Sequence, residues 1–224
     1  MKKELTELVF ILDRSGSMDG LVSDTIGGFN SMLKKQIEVE GDCMVTTVLF
    51  DDKYELLHNR IEIKEIDPIS EREYFVRGTT ALLDAVGKTI NSIGSLLNNT
   101  SENERPEKVM FVIITDGLEN ASIEFSKDKI KEMIEHQREK YNWEFIFLGA
   151  NIDAVNTAEQ MGICKRRAAN YIADSKGTTM NFSMVSDLAC YMRKSDTPPA
   201  FMKKYFDDKI SEIDEDYKKR SKKK

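Results

Sequence analysis

Two uninterrupted apolar runs, residues 8–12 (LVFIL) and 109–114 (VMFVII), each lead into an aspartate, Asp13 directly and Asp116 after Thr115. A strand with one face in water alternates apolar and polar side chains. A strand apolar at every position is covered on both faces, as in a parallel sheet with helices above and below. The two runs are therefore expected to be central strands of a doubly wound α/β fold. Further strands are predicted at 43–50, 54–63 and 143–149, with the first two runs extended to 5–12 and 108–115. Helices are predicted near 22–39, 80–98 and 126–141. The segment 54–63 alternates, and only Asp51-Asp52-Lys53 separates it from 43–50. That connection is too short for a crossover helix, so 54–63 should be an antiparallel edge strand. A helix near 153–161, a short strand near 168–172 and a helix near 178–193 would complete a mostly parallel, six-stranded sheet.

After this pattern, expected to fill one domain over 1–195, Thr197-Pro198-Pro199 interrupts the chain, and 196–224 reads as a charged C-terminal helix and basic tail. Phe206, Ile210, Ile213 and Tyr217 form one apolar stripe at helical spacing. Docking of this helix on its own domain is expected; a coiled-coil dimer would need more heptads than the stripe supplies. The chain has 224 residues, 40% of them apolar, enough for a substantial core. Its cysteines, Cys43, Cys164 and Cys190, fall singly, which argues against a disulfide framework or a zinc site and for a reducing cytosol. No run approaches the roughly eighteen apolar residues of a membrane span, and no cleavage signal follows the first run. A cytoplasmic protein without a membrane partner is expected. The net charge of −6 repels nucleic acid. The basic tail at 218–224 is the exception, and solvated disorder is the preferred reading of it.

Asp13, Ser15 and Ser17 offer a carboxylate and two hydroxyls from one short turn. All are hard oxygen donors of the kind a small divalent cation takes, although Asp and Ser also cap helices. A threonine pair opens a predicted helix in the stretch 78–85 (GTTALLDA), and Thr115-Asp116-Gly117 closes the second apolar run. In an open α/β sheet, ligands bind at the carboxyl ends of strands where successive crossovers leave on opposite faces. Asp13 and Asp116 would converge there.

These three segments together resemble the von Willebrand factor type A domain with its metal-ion-dependent adhesion site: D-x-S-x-S after the first strand, a threonine in a G-G-T-A-L-x-D-A loop, and the aspartate of T-D-G. Alignment puts the family's threonine at Thr80, with Thr79 replacing its second glycine, so either threonine is a candidate. The resemblance runs over about 4–149 and, less specifically, to about 193. It implies a Rossmann-like sheet with one reversed edge strand. It also implies metal ligation by Asp13, Ser15, Ser17, Thr80 and Asp116, directly or through water, with Mg²⁺ or Mn²⁺ as the ion. Three hydroxyls and two carboxylates leave such an ion under-neutralised with a coordination position open. The family fills that position with an Asp or Glu of a partner protein, and the positive end of the helix near Thr80 would favour the same anion. A compact form of bacterial or phage type is expected.

Two rivals use the same ion: a metal-dependent hydrolase, and a structural subunit whose metal braces loops. Hydrolysis needs a general acid or base beside the metal-bound water. The two histidines, His58 and His136, follow no motif residue and are expected at the surface. Neither a nucleophile elbow nor a phosphate loop is present, and position 15 carries serine where an aspartate phosphatase would carry a second aspartate. A non-enzymatic binding domain is therefore expected. Neighbouring polar residues have simpler readings. Asp51 and Asp52 suit a hairpin turn, Asp19 and Asp24 an acidic helix start, Asn151 or Asp153 a helix cap, and Asp84 the orientation of a loop. Glu119 and Asn120 suit either a partner-facing rim or a solvated turn.

Overall fold

The computed structural model describes residues 1–194 and 199–222, the side chains of Pro199 and Ala200 excepted. The expected boundary at 195/196, the start of the Thr197-Pro198-Pro199 interruption and the last two lysines of the tail lie outside the described residues. In chain order the elements are β1 (Lys2–Asp13), α1 (Val22–Ile37), β2 (Cys43–Phe50), β3 (Tyr54–Glu62), α2 (Leu82–Asn99), β4 (Pro106–Thr115), α3 (Lys127–Tyr141), β5 (Glu144–Ala150), α4 (Ala154–Gln160), β6 (Ala168–Tyr171), α5 (Ser175–Arg193) and α6 (Pro199–Ser221).

The sheet has six strands in the order β3-β2-β1-β4-β5-β6. β1 pairs in parallel with β2 and β4, and β4–β5 and β5–β6 are also parallel. β3 alone runs antiparallel, on β2 at the edge. The chain starts in the middle, adds β2 and β3 on one side, and then crosses to β4 on the other, so β1 and β4 flank the topological switch point.

The all-apolar runs are explained by two separate cores. Leu8, Phe10 and Leu12 of β1, with Met110, Val112 and Ile114 of β4, point to the layer of α1, α5 and α6. Val9 and Ile11, with Val109, Phe111 and Ile113, point to the layer of α2, α3 and α4. Successive side chains of a strand face opposite ways, so a strand feeding both cores needs an apolar residue at every step. Each such side chain contributes roughly 1.5–3 kcal/mol by leaving water.

The C-terminal stripe docks on its own domain. Phe206, Ile210 and Ile213 join the first core, Tyr205 stacks on Tyr191 of α5 at 4.0 Å, and Tyr217 stays partly exposed. Arg167 pairs with Asp207, Lys176 with Asp216 and Arg220 with Asp174. The tail departs from the disorder expected of it. Lys218, Lys219 and Arg220 continue α6 and pair with Asp214, Glu215 and Asp216 one turn back. Repulsion within the basic run is offset by the acidic turn before it.

His58 also departs from expectation. It lies on the edge strand but is buried, at 9% exposure. Burial holds its pKa below the ordinary range, against the charges of Asp67 and Glu73. The segment after β3 folds back over this edge, pinned at Ile69, whose N–H and C=O both bond to the Asn30 side-chain amide at 2.9 and 2.8 Å.

Candidate metal centre

β1 delivers Asp13 to the carboxyl edge of the sheet, where the strand breaks into a turn. One carboxylate oxygen accepts the Ser15 N–H at 2.7 Å, and the other accepts the Thr115 hydroxyl at 2.5 Å. Both oxygens of Asp13 are thus aimed by neighbours. Ser15 is buried, and its hydroxyl lies 3.2 Å from that of Ser17. The Ser17 hydroxyl in turn donates to Asp116 at 2.5 Å.

Thr80 arrives from the third loop. Its N–H donates to the Asn120 side-chain oxygen at 2.9 Å, and its carbonyl accepts the Asn120 N–H at 3.0 Å, a two-point clip between the loops before α2 and after β4. Thr80 is buried and Thr79 is exposed, which separates the two candidates. The missing side chain of Gly117 locates the common space. A methyl group built there would sit 3.2 Å from the Thr80 hydroxyl, 3.3 Å from that of Ser17 and 4.0 Å from that of Ser15. Thr80 therefore faces the two serines across the bare surface of Gly117, beside Asp116.

The electrostatics of this cradle are unbalanced. Burial raises the pKa of Asp13, the charge of Asp116 adds to the rise, and the bonds from Thr115 and Ser15 oppose it. Burial also raises Asp116, against the bond from Ser17. No Lys, Arg or His is among the leading causes of either shift. Two sequestered carboxylates without a counter-cation, surrounded by hydroxyl oxygens, form a donor set that fits a hard divalent ion. Among the described residues no group of three or more His, Cys, Asp or Glu is placed to hold a metal ion, so the cradle offers hydroxyl and carboxylate oxygens in place of nitrogen or sulfur donors.

Several residues that hold the cradle were not singled out in the sequence. Arg14, inside the D-x-S-x-S turn, is fully buried. It donates to Asp51 at 3.0 Å and to Glu55 at 2.7 Å, and Arg77 joins Asp51 at 2.7 Å. Asp51 is thus no simple turn residue. Burial works to raise its pKa, but the bonds from Arg77 and the Lys53 N–H, with the charges of Arg14 and Arg77, outweigh burial and hold it low. The ring of Phe75 lies 5.4 Å from the Arg14 guanidinium and 5.3 Å from that of Arg77. Tyr74, also fully buried, donates to the Asp13 carbonyl at 2.5 Å. The signal for Arg14 was its place between two donors of the turn. Tyr74 carried none, because it reaches Asp13 from a loop 61 residues away.

The loop after β4 is tied to α2. Asp84 accepts the N–H groups of Ile123, Glu124 and Phe125, which is the loop-orienting role expected of it. Glu119 accepts from the N–H groups of Leu83, Ala121 and Ser122, and the Ser122 hydroxyl takes the Asp84 N–H. Here the structure alters one expectation: the Leu83 and Asp84 amides in the first turn of α2 are satisfied by the chain's own loop and are not left for an incoming anion. Glu119 and Asn120 are braces. Asp153 caps α4 by accepting the Asn156 N–H at 3.1 Å, while Asn151 reaches the Asp116 carbonyl at 3.4 Å. A cavity of about 570 Å³ lies at the opposite end of the sheet between α2 and α3 and contains none of the cradle residues.

No family model and no curated protein matches the chain by sequence. The fold is nevertheless shared with solved von Willebrand factor type A structures. A von Willebrand factor type A protein from Catenulispora acidiphila superposes with a TM-score of 0.57 at 11% identity, over 83% of this chain and 42% of that one. Manganese-loaded TRAP from Plasmodium vivax gives 0.56 at 18% identity, over 80% of this chain and 72% of that one. Proximal thread matrix protein 1 of the mussel byssus, with a zinc-occupied metal-ion-dependent adhesion site, gives 0.56 at 14% identity, over 84% and 46%. The chain spans less than half the length of the first and third of these. It has the von Willebrand factor type A fold, a Rossmann-like α/β architecture.

Proposed function

We propose that this chain is a non-enzymatic, divalent-cation-dependent protein-binding domain. Asp13, Ser15, Ser17, Thr80 and Asp116 hold Mg²⁺ or Mn²⁺, directly or through water. The bound ion supplies a Lewis-acid position that an Asp or Glu side chain of a partner protein fills. Asp13 and Asp116 offset the cation's charge, and the three neutral hydroxyls leave it electrophilic toward one more carboxylate. Thr115, Tyr74 and Asn120 hold these donors in place.

The observation that carries the reading is the pair of buried carboxylates without a cationic neighbour, set beside three hydroxyls at Gly117. Two structures of the same fold are described as metal-loaded, one with manganese and one with zinc. Binding in place of catalysis is favoured because no histidine occurs among the residues bonded to the cradle, and His136 lies on α3 away from it. The unpaired Cys43, Cys164 and Cys190 favour a reducing cytosol. No helix among the described residues is long and apolar enough to cross a membrane.

Thermal denaturation with Mg²⁺, Mn²⁺ and EDTA tests the metal. An ion about a hundredfold above its dissociation constant stabilises the fold by about 2.7 kcal/mol. Asp13→Ala and Asp116→Ala should remove that increment. An identical metal response in both variants overturns the assignment.

A further inference from the structure

The cavity of about 570 Å³ between α2 and α3 has the size of a small-molecule site and takes no part in the metal centre. Its floor is apolar and closed. Ile90 and Leu97 of α2, Val109 of β4 and Trp143, just before β5, are each 8% exposed or less. Trp143 is held in place by stacking on Phe111 at 5.3 Å. The walls carry neutral hydrogen-bonding groups: the carboxamides of Asn91, Asn98, Gln137 and Asn142 and the hydroxyl of Ser95.

Two features of these walls do nothing for packing. Gln137 Oε1 is buried without a hydrogen-bond partner. An orphaned acceptor of this kind weakens the fold until a donor reaches it. The Gln137 amide lies against Gly94 of α2, where an added methyl group would meet Gln137 Nε2 at 3.5 Å, an ordinary contact. Alanine would therefore fit at position 94 and make a better helix. Gly87, one helix face earlier, is different, because a methyl group there would run into the Phe125 ring at 2.5 Å. What the glycine at 94 provides is width in the cavity beside Gln137.

The charged groups at the rim balance in number, and most are engaged. Arg105 closes the end of α2 by donating to the carbonyls of Thr100 and Asn98 at 2.8 and 3.1 Å. Lys140 sits 5.2 Å from the centre of the Tyr141 ring, and Glu107 accepts the Glu4 N–H at 3.3 Å. Glu102 is the fourth charge. Both α2 and α3 end at this cavity, and the carbonyl ends of helices are partially negative. Two carboxylates and two helix ends set against Arg105 and Lys140 suit a neutral ligand that brings N–H donors, and disfavour a phosphate or carboxylate.

We infer that this cavity binds an adenine nucleoside with the base inward, at a site independent of the metal. The base is flat, with apolar faces for the floor of Ile90, Leu97 and Trp143. Its edge sets N–H donors beside a ring acceptor, and a glutamine carboxamide matches that edge with two hydrogen bonds: the oxygen accepts from the exocyclic amine and the nitrogen donates to the ring. The last torsion of a glutamine side chain is soft, so the Gln137 amide turns to meet the base at little cost. The exposed Asn91, Ser95 and Asn98 offer partners to the ribose hydroxyls.

Equilibrium dialysis of the full chain against adenosine measures binding, and the emission of Trp143, the one tryptophan in the sequence, locates it. Excitation at the red edge of the indole band avoids absorption by the nucleoside. Adenosine is expected to bind with a dissociation constant below about 1 mM, to change Trp143 emission over the same concentration range, and to do so equally in Mg²⁺ and in EDTA. Gln137→Leu should weaken binding about tenfold, the loss that one hydrogen-bonded contact brings. Its melting temperature should be no lower than the parent's, because the substitution removes an unpaired buried oxygen. Ser95→Phe, which fills the cavity from an exposed position on α2, should abolish binding. No binding at about 1 mM, binding that leaves Trp143 emission unchanged, or equal affinity in Gln137→Leu overturns the inference. Loss of binding in EDTA also overturns it, by placing the nucleoside at the metal. Adenosine monophosphate or ribose binding as tightly as adenosine does the same, by marking an anion or sugar site.

Discussion

Ser17 donates its hydroxyl to Asp116 at 2.5 Å, joining the loop after β1 to the end of β4 across 99 residues of sequence. The bond exists because β1 and β4 are parallel neighbours in register, Leu12 beside Ile114, so that both chains leave the sheet at one level. The donors of the proposed metal centre meet as a consequence of strand order.

Gly117 leaves open the space that a methyl group would share with Thr80 and Ser17, at 3.2 and 3.3 Å. Gly117→Ala is expected to lower Mn²⁺ affinity at least about tenfold, since octahedral ions tolerate little distortion of their donors. Its melting temperature in EDTA should stay close to that of the parent, because no positive φ is imposed at this position. Calorimetric titration alongside EDTA melts reads both quantities.

The two threonines should behave differently. Thr80→Ala removes a buried hydroxyl facing Ser17 and should weaken metal binding, whereas the exposed Thr79→Ala should leave the metal titration unchanged. Equal losses in both variants would show that the loop as a whole, and not the Thr80 oxygen, serves the metal.

Arg14→Met removes a buried guanidinium and leaves Asp51 with Arg77 as its remaining cation. Breaking a buried ion pair from one side typically costs about 3 kcal/mol or more, and urea denaturation should register a loss of that size. Arg14→Lys should restore only part of it, because a lysine cannot reach Asp51 and Glu55 with the forked geometry of arginine.

Glu7, buried on β1, bonds to Arg60 at 2.7 Å and to Thr46 at 3.3 Å, linking three strands. Burial pushes its pKa up from 4.5 to about 7, against the charge and bond of Arg60. The native state therefore holds this proton while the unfolded chain releases it. The corresponding stability is full below the unfolded value, declines as pH rises through the interval up to about 7, and is lost above it. Relative to Glu7→Gln, the parent should lose on the order of 3 kcal/mol between about pH 5 and about pH 8. Urea titrations of the two proteins at several pH values measure this; a constant difference between them would contradict it.

Most of the sheet was legible in the sequence because central strands carry their own signature. Residues 8–12 and 109–114 had to be apolar throughout to feed two cores, and the alternation of 54–63 marked the reversed edge. Helix boundaries were harder to read. α2 begins at Leu82 and not at Thr80, because Thr80 and Ala81 are held in the loop by Asn120 and Asp51. His58 was misread because the loop 63–81 folds over the edge strand, and nothing near His58 in the chain announces that cover.

Sequence alone determined the fold class, since hydrophobic periodicity is a local property of the chain, and the resemblance of its three motifs named the five candidate donors. Tertiary structure alone decided that Thr80 and not Thr79 faces the serines, that Arg14 and Tyr74 anchor the turn, and that the Leu83 and Asp84 amides of α2 are already bonded. Each of these depends on groups tens of residues apart meeting at one point. Strand order and burial, and no short stretch of sequence, fix such a meeting.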